Sequence, residues 1–262
     1  MKAKCTNIWM LAVLVAACVF FFFLLSVSCF HTAQTAAAAA AVLRPLVILD
    51  AGHGGEDGGA VGCSPVPEKV INLSITKKVE KGLTNGGCRV LMTRSEDVML
   101  GDHSLSTLRE RKASDIHKRF AILQGNPGGI FVSIHQNHFS DGYYSGAQIF
   151  YSPNHPKSKL LAEQLRQSIV LRTQPENKRS NKAATRSIYL LTHAQDPAVL
   201  VECGFLSNAS EAKLLNEEAY QQKMADAITN GILQYLRQSS TASSVAAGKG
   251  TLYSSQTSAI IK

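Results

Sequence analysis

The sequence lacks the cysteine spacing of a structural metal site or a redox motif, since none of its 6 cysteines forms a CxxC pair. Three cysteines fall within the first 30 residues, which leaves Cys63, Cys88 and Cys203 in the rest of the chain. We expect three buried thiols; one disulfide with a spare thiol is the alternative.

The chain also lacks a nucleic-acid-binding motif, an internal repeat and the phosphate-binding sequence GxxxxGK[ST]. Its 27 basic and 19 acidic side chains give a net charge of +8, which suits an anionic partner such as nucleic acid, phospholipid or a cell-wall polymer. Because no motif supports nucleic acid, we expect none to bind. Apolar residues at 45% exclude wholesale disorder.

Charge is absent between Lys4 and Arg44, and residues 8–30 form a predominantly apolar run of about 23 residues. This is long enough to cross a bilayer core of ~30 Å. Positive charge before the run predicts an uncleaved signal anchor with the remainder outside the cytoplasm. Cleavage within residues 35–41 is the alternative, and Cys29 is a poor lipidation site. Residues 1–43 are thus interpreted as a membrane anchor or signal segment with its linker.

The rest of the chain alternates short apolar runs with helical spacing, which predicts an α/β fold. The predicted strands are residues 43–50, 89–93, 130–134, 147–151, 187–191 and 198–201. The predicted helices are residues 68–83, 108–123, 157–171, 212–215 and 217–236. Continuous apolar strands favour a single doubly wound domain, residues 44–237, with a mixed, mostly parallel sheet of about six strands and helices on both faces. Residues 238–262, rich in Ser, Ala, Thr and Gly, are predicted to be a disordered tail.

Chemically competent side chains follow the predicted strands. His53 follows the first strand, His135 ends the strand 130–134, Glu202 ends the strand 198–201, and Glu68 opens the first helix. Ligands of such sheets bind beyond the carboxyl ends of the strands. Two imidazoles and a carboxylate would make a zinc site with an open fourth position, and a second carboxylate could serve as general base.

Each of these residues also has a purely structural interpretation. His53 could be a loop residue, and His135 could be a hydrogen-bonded core histidine. Glu68 would be favoured at a helix N-terminus by the helix dipole, and Glu202 could pair with an arginine. No HExxH helix is present. The basic residues of the helix at 108–123 are expected to form a solvated face: Arg109, Arg111, Lys112, Lys118 and Arg119.

Four sequence blocks together resemble the zinc-dependent N-acetylmuramoyl-L-alanine amidase family. They are VILDAGHGGEDGGAVG at 47–62, EKVINL at 68–73, FVSIHQN at 131–137 and VLVECGFLSN at 199–208. The resemblance implies one Zn²⁺ ion held by His53, Glu68 and His135, with Glu202 as the catalytic carboxylate. It assigns no substrate-binding residue.

The resemblance implies cleavage of the amide between the lactyl group of N-acetylmuramic acid and L-alanine, so peptidoglycan is the expected partner. The apolar N-terminus and the region around Arg94 and Arg109 look similar to the germination-type amidase, which removes stem peptides so that muramic lactam can form. The alternatives are a zinc carboxypeptidase or endopeptidase of the stem peptide, and a non-catalytic, membrane-tethered wall-binding protein. The sequence identifies no protein regulator.

Overall fold

A computed structural model of the chain describes residues 15, 19–27 and 44–257, with side chains described up to residue 239. Residues 19–27 are helical, while the remainder of the predicted anchor and the 35–41 region lie outside the described residues, apart from residue 15. Among the described residues, no helix combines the length and apolar character needed to cross a membrane. The chain divides into two units, residues 1–44 and 45–262.

A six-stranded mixed sheet forms the centre of the second unit, in the order β2-β1-β3-β6-β4-β5. The strands are β1 (Leu46–Ala51), β2 (Arg89–Met92), β3 (Ile130–Asn137), β4 (Gln148–Tyr151), β5 (Lys182–Ala183) and β6 (Ala198–Phe205). Strands β2, β1, β3 and β6 run parallel, β4 pairs antiparallel with β6, and β5 pairs parallel with β4. The predicted fold class, a mixed and mostly parallel sheet, is confirmed.

Helices cover both faces of this sheet. They are α1 (Glu68–Asn85), α2 (Leu108–Gln124), α3 (Lys157–Arg172), α4 (Tyr189–His193), α5 (Ala209–Asn216) and α6 (Glu218–Thr257). The larger core contains apolar side chains of α1, α3 and α6, such as Ile75, Leu165 and Ile228. The opposite face is covered more thinly, by Leu123 of α2 and Leu191 of α4 packed near Phe131.

Three local predictions differ from the structure. Residues 187–191 were expected to be a strand, but α4 occupies most of them, because a short apolar run does not distinguish a strand from a buried helical turn. Residues 238–257 continue α6, although a disordered tail was expected there. Cys63 is exposed, whereas only Cys88 and Cys203 are buried, and all three are free thiols.

The sheet order places the chain's polar strand ends side by side. Strands β1, β3 and β6 are neighbours, and His135 of β3 is in register with Glu202 of β6. The amide of Gly52 donates to the carbonyl of Ile134 over 3.1 Å, which keeps the loop after β1 against the end of β3. This edge of the sheet therefore carries the candidate site.

Candidate metal centre

The loop after β1 holds His53 in an unusual backbone conformation. His53 is the only non-glycine residue with positive φ among the described residues, at 63°. A side chain at Gly52 would collide with the ring of His135, and one at Gly59 would collide with the Glu68 carboxylate and the His53 ring. The glycines therefore let this backbone approach the side chains of the site closely.

Three possible metal-binding side chains meet at this edge. The donor atoms of His53, Glu68 and His135 all lie within 4.8 Å of one another. Nε2 of His53 is 3.1 Å from Oε2 of Glu68, and Nδ1 of His135 is 3.0 Å from Oε1. The two imidazole rings are 4.9 Å apart at an interplanar angle of 76°. Two imidazoles and one carboxylate with converging donor atoms can hold a divalent metal such as zinc.

The carboxylate of Glu68 is buried and fixed from several sides. Oε2 accepts a hydrogen bond from the amide of Ala60 at 2.7 Å. Oε1 accepts from the amide of Gln136 at 3.0 Å and from Nδ2 of Asn72 at 3.1 Å. Burial raises the pKa of Glu68, but its hydrogen bonds with the two histidines outweigh burial and hold the pKa far below the usual range. The group is therefore an oriented anion.

His53 is supported from behind by Asp57, which the sequence analysis did not identify. Nδ1 of His53 is 2.7 Å from Oδ2 of Asp57, and Nζ of Lys112 is 2.9 Å from Oδ1. Burial alone would lower the pKa of His53, but the hydrogen bonds with Asp57 and Glu68 raise it to about 9. A carboxylate of this kind fixes the ring orientation of a metal-binding histidine. The signal in the sequence was the acid four residues after His53.

Glu202 lines the same cleft. Its Oε2 is buried without a hydrogen-bond partner among the described residues. Burial, reinforced by the nearby charge of Glu68, raises the pKa of Glu202 to about 7, although the two histidines act in the opposite direction. A carboxyl group with a pKa near neutrality can both accept and release a proton at physiological pH.

Arg119 anchors the His53 loop from inside the protein, so its expected place on a solvated helix face is wrong. Its side chain is only 3% exposed and bonds Asp50 and Asp115. It also donates to the carbonyl of His53 at 2.7 Å and to that of Ala51 at 2.9 Å. The i,i+4 spacing of Asp115 and Arg119 was the sequence signal for this pairing.

The cleft next to the centre has a volume of about 270 Å³. His53, His135 and Glu202 line one side, and apolar side chains of and before α4, including Ile188 and Leu190, line another. The four site residues predicted from the sequence are thus brought together: His53, Glu68 and His135 form the donor cluster, and Glu202 lies beside it. The site is therefore a small cleft that combines these polar groups with apolar side chains.

The fold and the site define an α/β protein with a candidate mononuclear metal centre at the carboxyl ends of its central strands. The chain belongs to the N-acetylmuramoyl-L-alanine amidase family, whose family model matches residues 47–234. The family resemblance inferred from the four sequence blocks is therefore confirmed.

Individual relatives support the same assignment. The germination-specific N-acetylmuramoyl-L-alanine amidase of Bacillus subtilis is 36% identical over 190 residues, covering 72% of this chain and 79% of the relative. The CwlD amidase from Clostridioides difficile, solved in complex with the GerS lipoprotein, is similar with a TM-score of 0.71 and 39% identity, covering 74% of this chain and 99% of that one. The catalytic domain of CwlV from Bacillus (Paenibacillus) polymyxa follows with a TM-score of 0.62, 30% identity and coverage of 74% and 98%.

Proposed function

We propose that this chain is a zinc-dependent amidase that hydrolyses the bond between the lactyl group of N-acetylmuramic acid and L-alanine in peptidoglycan. One observation carries the proposal: two imidazoles and a fixed carboxylate converge within 4.8 Å beside a second carboxylate that has an unpaired oxygen. Membership of the amidase family supplies the substrate class.

The donor set fits zinc. Two histidines and one glutamate leave a fourth position open, as catalytic zinc sites require. Glu68 is already ionised and oriented, and Asp57 orients His53. We propose His53, Glu68 and His135 as the ligands of a single ion. Bound zinc supplies Lewis acidity, which polarises the scissile carbonyl and makes a water molecule more acidic.

Glu202 is proposed as the catalytic base and acid. Its carboxylate takes one proton from the attacking water as the new C–O bond forms. The same group then returns the proton to the alanine nitrogen as the C–N bond breaks, so the products are a lactyl carboxylic acid and a free amine. A pKa of about 7 suits both directions of transfer. The cleft walls hold the amide between this carboxylate and the donor cluster.

Product identification tests this function. The full-length chain, purified in detergent, is incubated with insoluble peptidoglycan, and the soluble products are identified by mass spectrometry. We expect intact stem peptides with a free L-alanine amino group. Shortened stems that remain attached to muramic acid would instead identify a carboxypeptidase or endopeptidase. Binding to peptidoglycan without any release would identify a non-catalytic wall-binding protein.

A role in spore cortex maturation is the finer proposal. It is supported by the similarity to the germination-specific amidase of Bacillus subtilis and to CwlD of Clostridioides difficile. Deleting the gene from its host and analysing cortex muropeptides tests the proposal. We expect muramic lactam to disappear and to return with the wild-type gene; normal lactam in the deletion strain would refute the role.

Extracytoplasmic action follows from the same substrate, since peptidoglycan lies outside the membrane. We propose that residues 8–30 tether the chain there, in line with the charge pattern of the sequence. Cell fractionation should place the full-length chain in the membrane pellet. A soluble product shortened at its N-terminus would show that the segment is cleaved.

A further inference from the structure

Three aromatic side chains are exposed on the loop that joins β3 to β4. Phe139 is 51% exposed, Tyr143 84% and Tyr144 40%. The rings of Phe139 and Tyr144 are 5.0 Å apart and those of Tyr143 and Tyr144 are 6.1 Å apart, both in edge-to-face orientation. We call these three side chains the aromatic shelf. The exposed surface of these rings is not part of the hydrophobic core, and a cluster of exposed apolar side chains is typical of a binding surface.

The loop that carries the aromatic shelf is held in place by hydrogen bonds. The amide of Phe139 donates to Oγ of Ser207 at 3.1 Å, and Nδ2 of Asn208 donates to the carbonyl of Gly142 at 2.8 Å. The amide of Gly146 donates to Oε1 of Glu211 at 2.9 Å. The rings are therefore presented by an ordered loop, so little conformational entropy is lost when a ligand binds.

A second layer supports Tyr144 from within the protein. Its ring lies 6.2 Å from that of Phe205 at an interplanar angle of 30°. The guanidinium of Arg179 lies 4.7 Å from the Phe205 ring and 5.7 Å from the Tyr144 ring, and its Nε donates to the carbonyl of Ser145 at 2.7 Å. Arg179 therefore packs against both rings and helps to hold Tyr144 in place.

The aromatic shelf lies at the same edge of the sheet as the candidate metal centre. Phe139 follows His135 by four residues, and Phe205 follows Glu202 by three. The amide of Leu206 donates to the carbonyl of Asn137, and the carbonyl of Leu206 accepts from the amide of Cys63, both at 2.8 Å. The shelf loop, the end of β6 and the glycine-rich loop are therefore joined directly, at the edge of the sheet that carries the candidate metal centre.

The composition of the loop indicates which class of ligand the aromatic shelf binds. The other side chains between positions 139 and 145 are small or acidic, namely Ser140, Asp141 and Ser145. An anionic bilayer would repel Asp141 and would favour aliphatic and basic side chains, and residues 139–145 contain neither kind. A pyranose ring presents an apolar C–H face with a polar rim, which matches the amphipathic surface of tyrosine rings.

We propose that the aromatic shelf binds a sugar of the peptidoglycan glycan strand next to the muramic acid whose stem peptide occupies the cleft. This inference rests on the proposed function, because it takes the same polymer as ligand. It predicts that Phe139, Tyr143 and Tyr144 give the enzyme a preference for polymeric over single-sugar substrate.

Binding of peptide-free glycan strands tests the shelf without any hydrolysis. The full-length chain and its Tyr143→Ala, Tyr143→Phe and Leu171→Ala variants are titrated with such strands in detergent. We expect Tyr143→Ala to weaken binding roughly 3- to 10-fold and Tyr143→Phe to restore it, because the ring carries the contact. Leu171 is 79% exposed on α3, so Leu171→Ala is the control for loss of an exposed apolar side chain.

Kinetics give a second readout. For Tyr143→Ala, the ratio of kcat/KM on polymeric peptidoglycan to kcat/KM on a single-sugar muramoyl peptide should fall by the same factor. An unchanged ratio with unchanged glycan binding would overturn the proposal, as would an equal loss on both substrates. A change in partition into phosphatidylglycerol vesicles, with glycan binding intact, would assign the rings to membrane contact and also overturn it. If glycan binding depends on Tyr143 but the chain releases no stem peptide, the proposed role of the aromatic shelf stands and the proposed amidase function is refuted.

Discussion

Two glutamates in one cleft have opposite properties because their surroundings differ. Burial raises the pKa of Glu68, but its hydrogen bonds with His135 and His53 hold the pKa far below the usual range. Glu202 is buried with an unpaired oxygen, and its pKa rises to about 7. Groups whose environments separate their pKa values in this way commonly divide catalytic roles. The ionised acid suits metal binding, and the other suits proton transfer.

Glu202→Gln separates these two roles. The substitution keeps the size of the side chain but removes the proton acceptor, so we expect activity to fall roughly 10²- to 10⁴-fold with unchanged zinc content. Product release and metal content measured on the same preparation check this. Glu218→Gln, at a side chain that is 89% exposed on α6, is the matched control and should retain activity. Near-normal hydrolysis by Glu202→Gln would refute the assignment.

Asp57→Asn tests the support behind His53. The amide cannot accept the imidazole N–H with the strength of a carboxylate, so zinc affinity should fall roughly 10- to 100-fold. Competition with a chelating dye measures the affinity directly. Asp226→Asn, an exposed acid on α6, should leave it unchanged. Equal zinc affinity in the Asp57 variant and the wild type would show that Asp57 has no part in the centre.

At the scale of elements, a buried ion pair ties β1 to α2. Asp50 of β1 pairs with Arg119 of α2, and accepts hydrogen bonds from Thr93 and Ser133 at 2.7 and 2.6 Å. Burial raises the pKa of Asp50, but Arg119 and the hydroxyl groups outweigh it and lower the pKa to about 2. The pair fixes the strand end and, through Arg119, the loop that carries His53.

This pair predicts an acid dependence of stability. The pKa of Asp50 is lower in the folded protein than in the unfolded chain, so its stabilisation is present above about pH 4 and is lost as the pH falls towards 2. The size is about 2 kcal/mol in the free energy of unfolding. Urea titrations of the metal-free chain across this range check it.

Asp50→Asn should remove that part of the acid dependence and lower stability at pH 7, because the buried Arg119 loses one of its two carboxylate partners. Asp226→Asn should keep the wild-type dependence of stability on pH. The idea fails if Asp50→Asn and wild type lose stability in parallel between pH 4 and 2.

At the scale of the whole molecule, the candidate ligands come from distant parts of the chain. His53 lies after β1, Glu68 opens α1, and His135 lies near the end of β3. A metal that binds only the folded arrangement stabilises it by mass action, by about 4 kcal/mol at a free concentration 1,000 times its Kd.

Zinc removal should therefore lower the Tm by roughly 10 °C, and added zinc should restore it. Thermal melts followed by circular dichroism, with and without chelator, measure the shift. In His53→Ala the chelator should have no effect, whereas His155→Ala, outside the residues that line the cleft, should show the wild-type shift. A chelator response retained by His53→Ala would remove this histidine from the site.

The sequence by itself determined the α/β class and the positions of most strands and helices, because apolar periodicity is a local property. It also determined the candidate residues His53, Glu68, His135 and Glu202, since each lies at the end of a strand or the start of a helix and within a family motif. Short segments were harder: residues 187–191 contain too few positions to distinguish a strand from α4.

Only the tertiary structure decided which side chains come into contact and which are buried from solvent. Arg119 became a buried anchor for the His53 loop, 66 positions away in the chain. Asp57 supports His53 from only four positions away, but the burial of the pair depends on the surrounding fold. The exposure of Phe139, Tyr143 and Tyr144 likewise became visible only in the structure. The pKa of Glu202 likewise follows from burial against β3 and from charges on other elements, and no local pattern encodes such a sum.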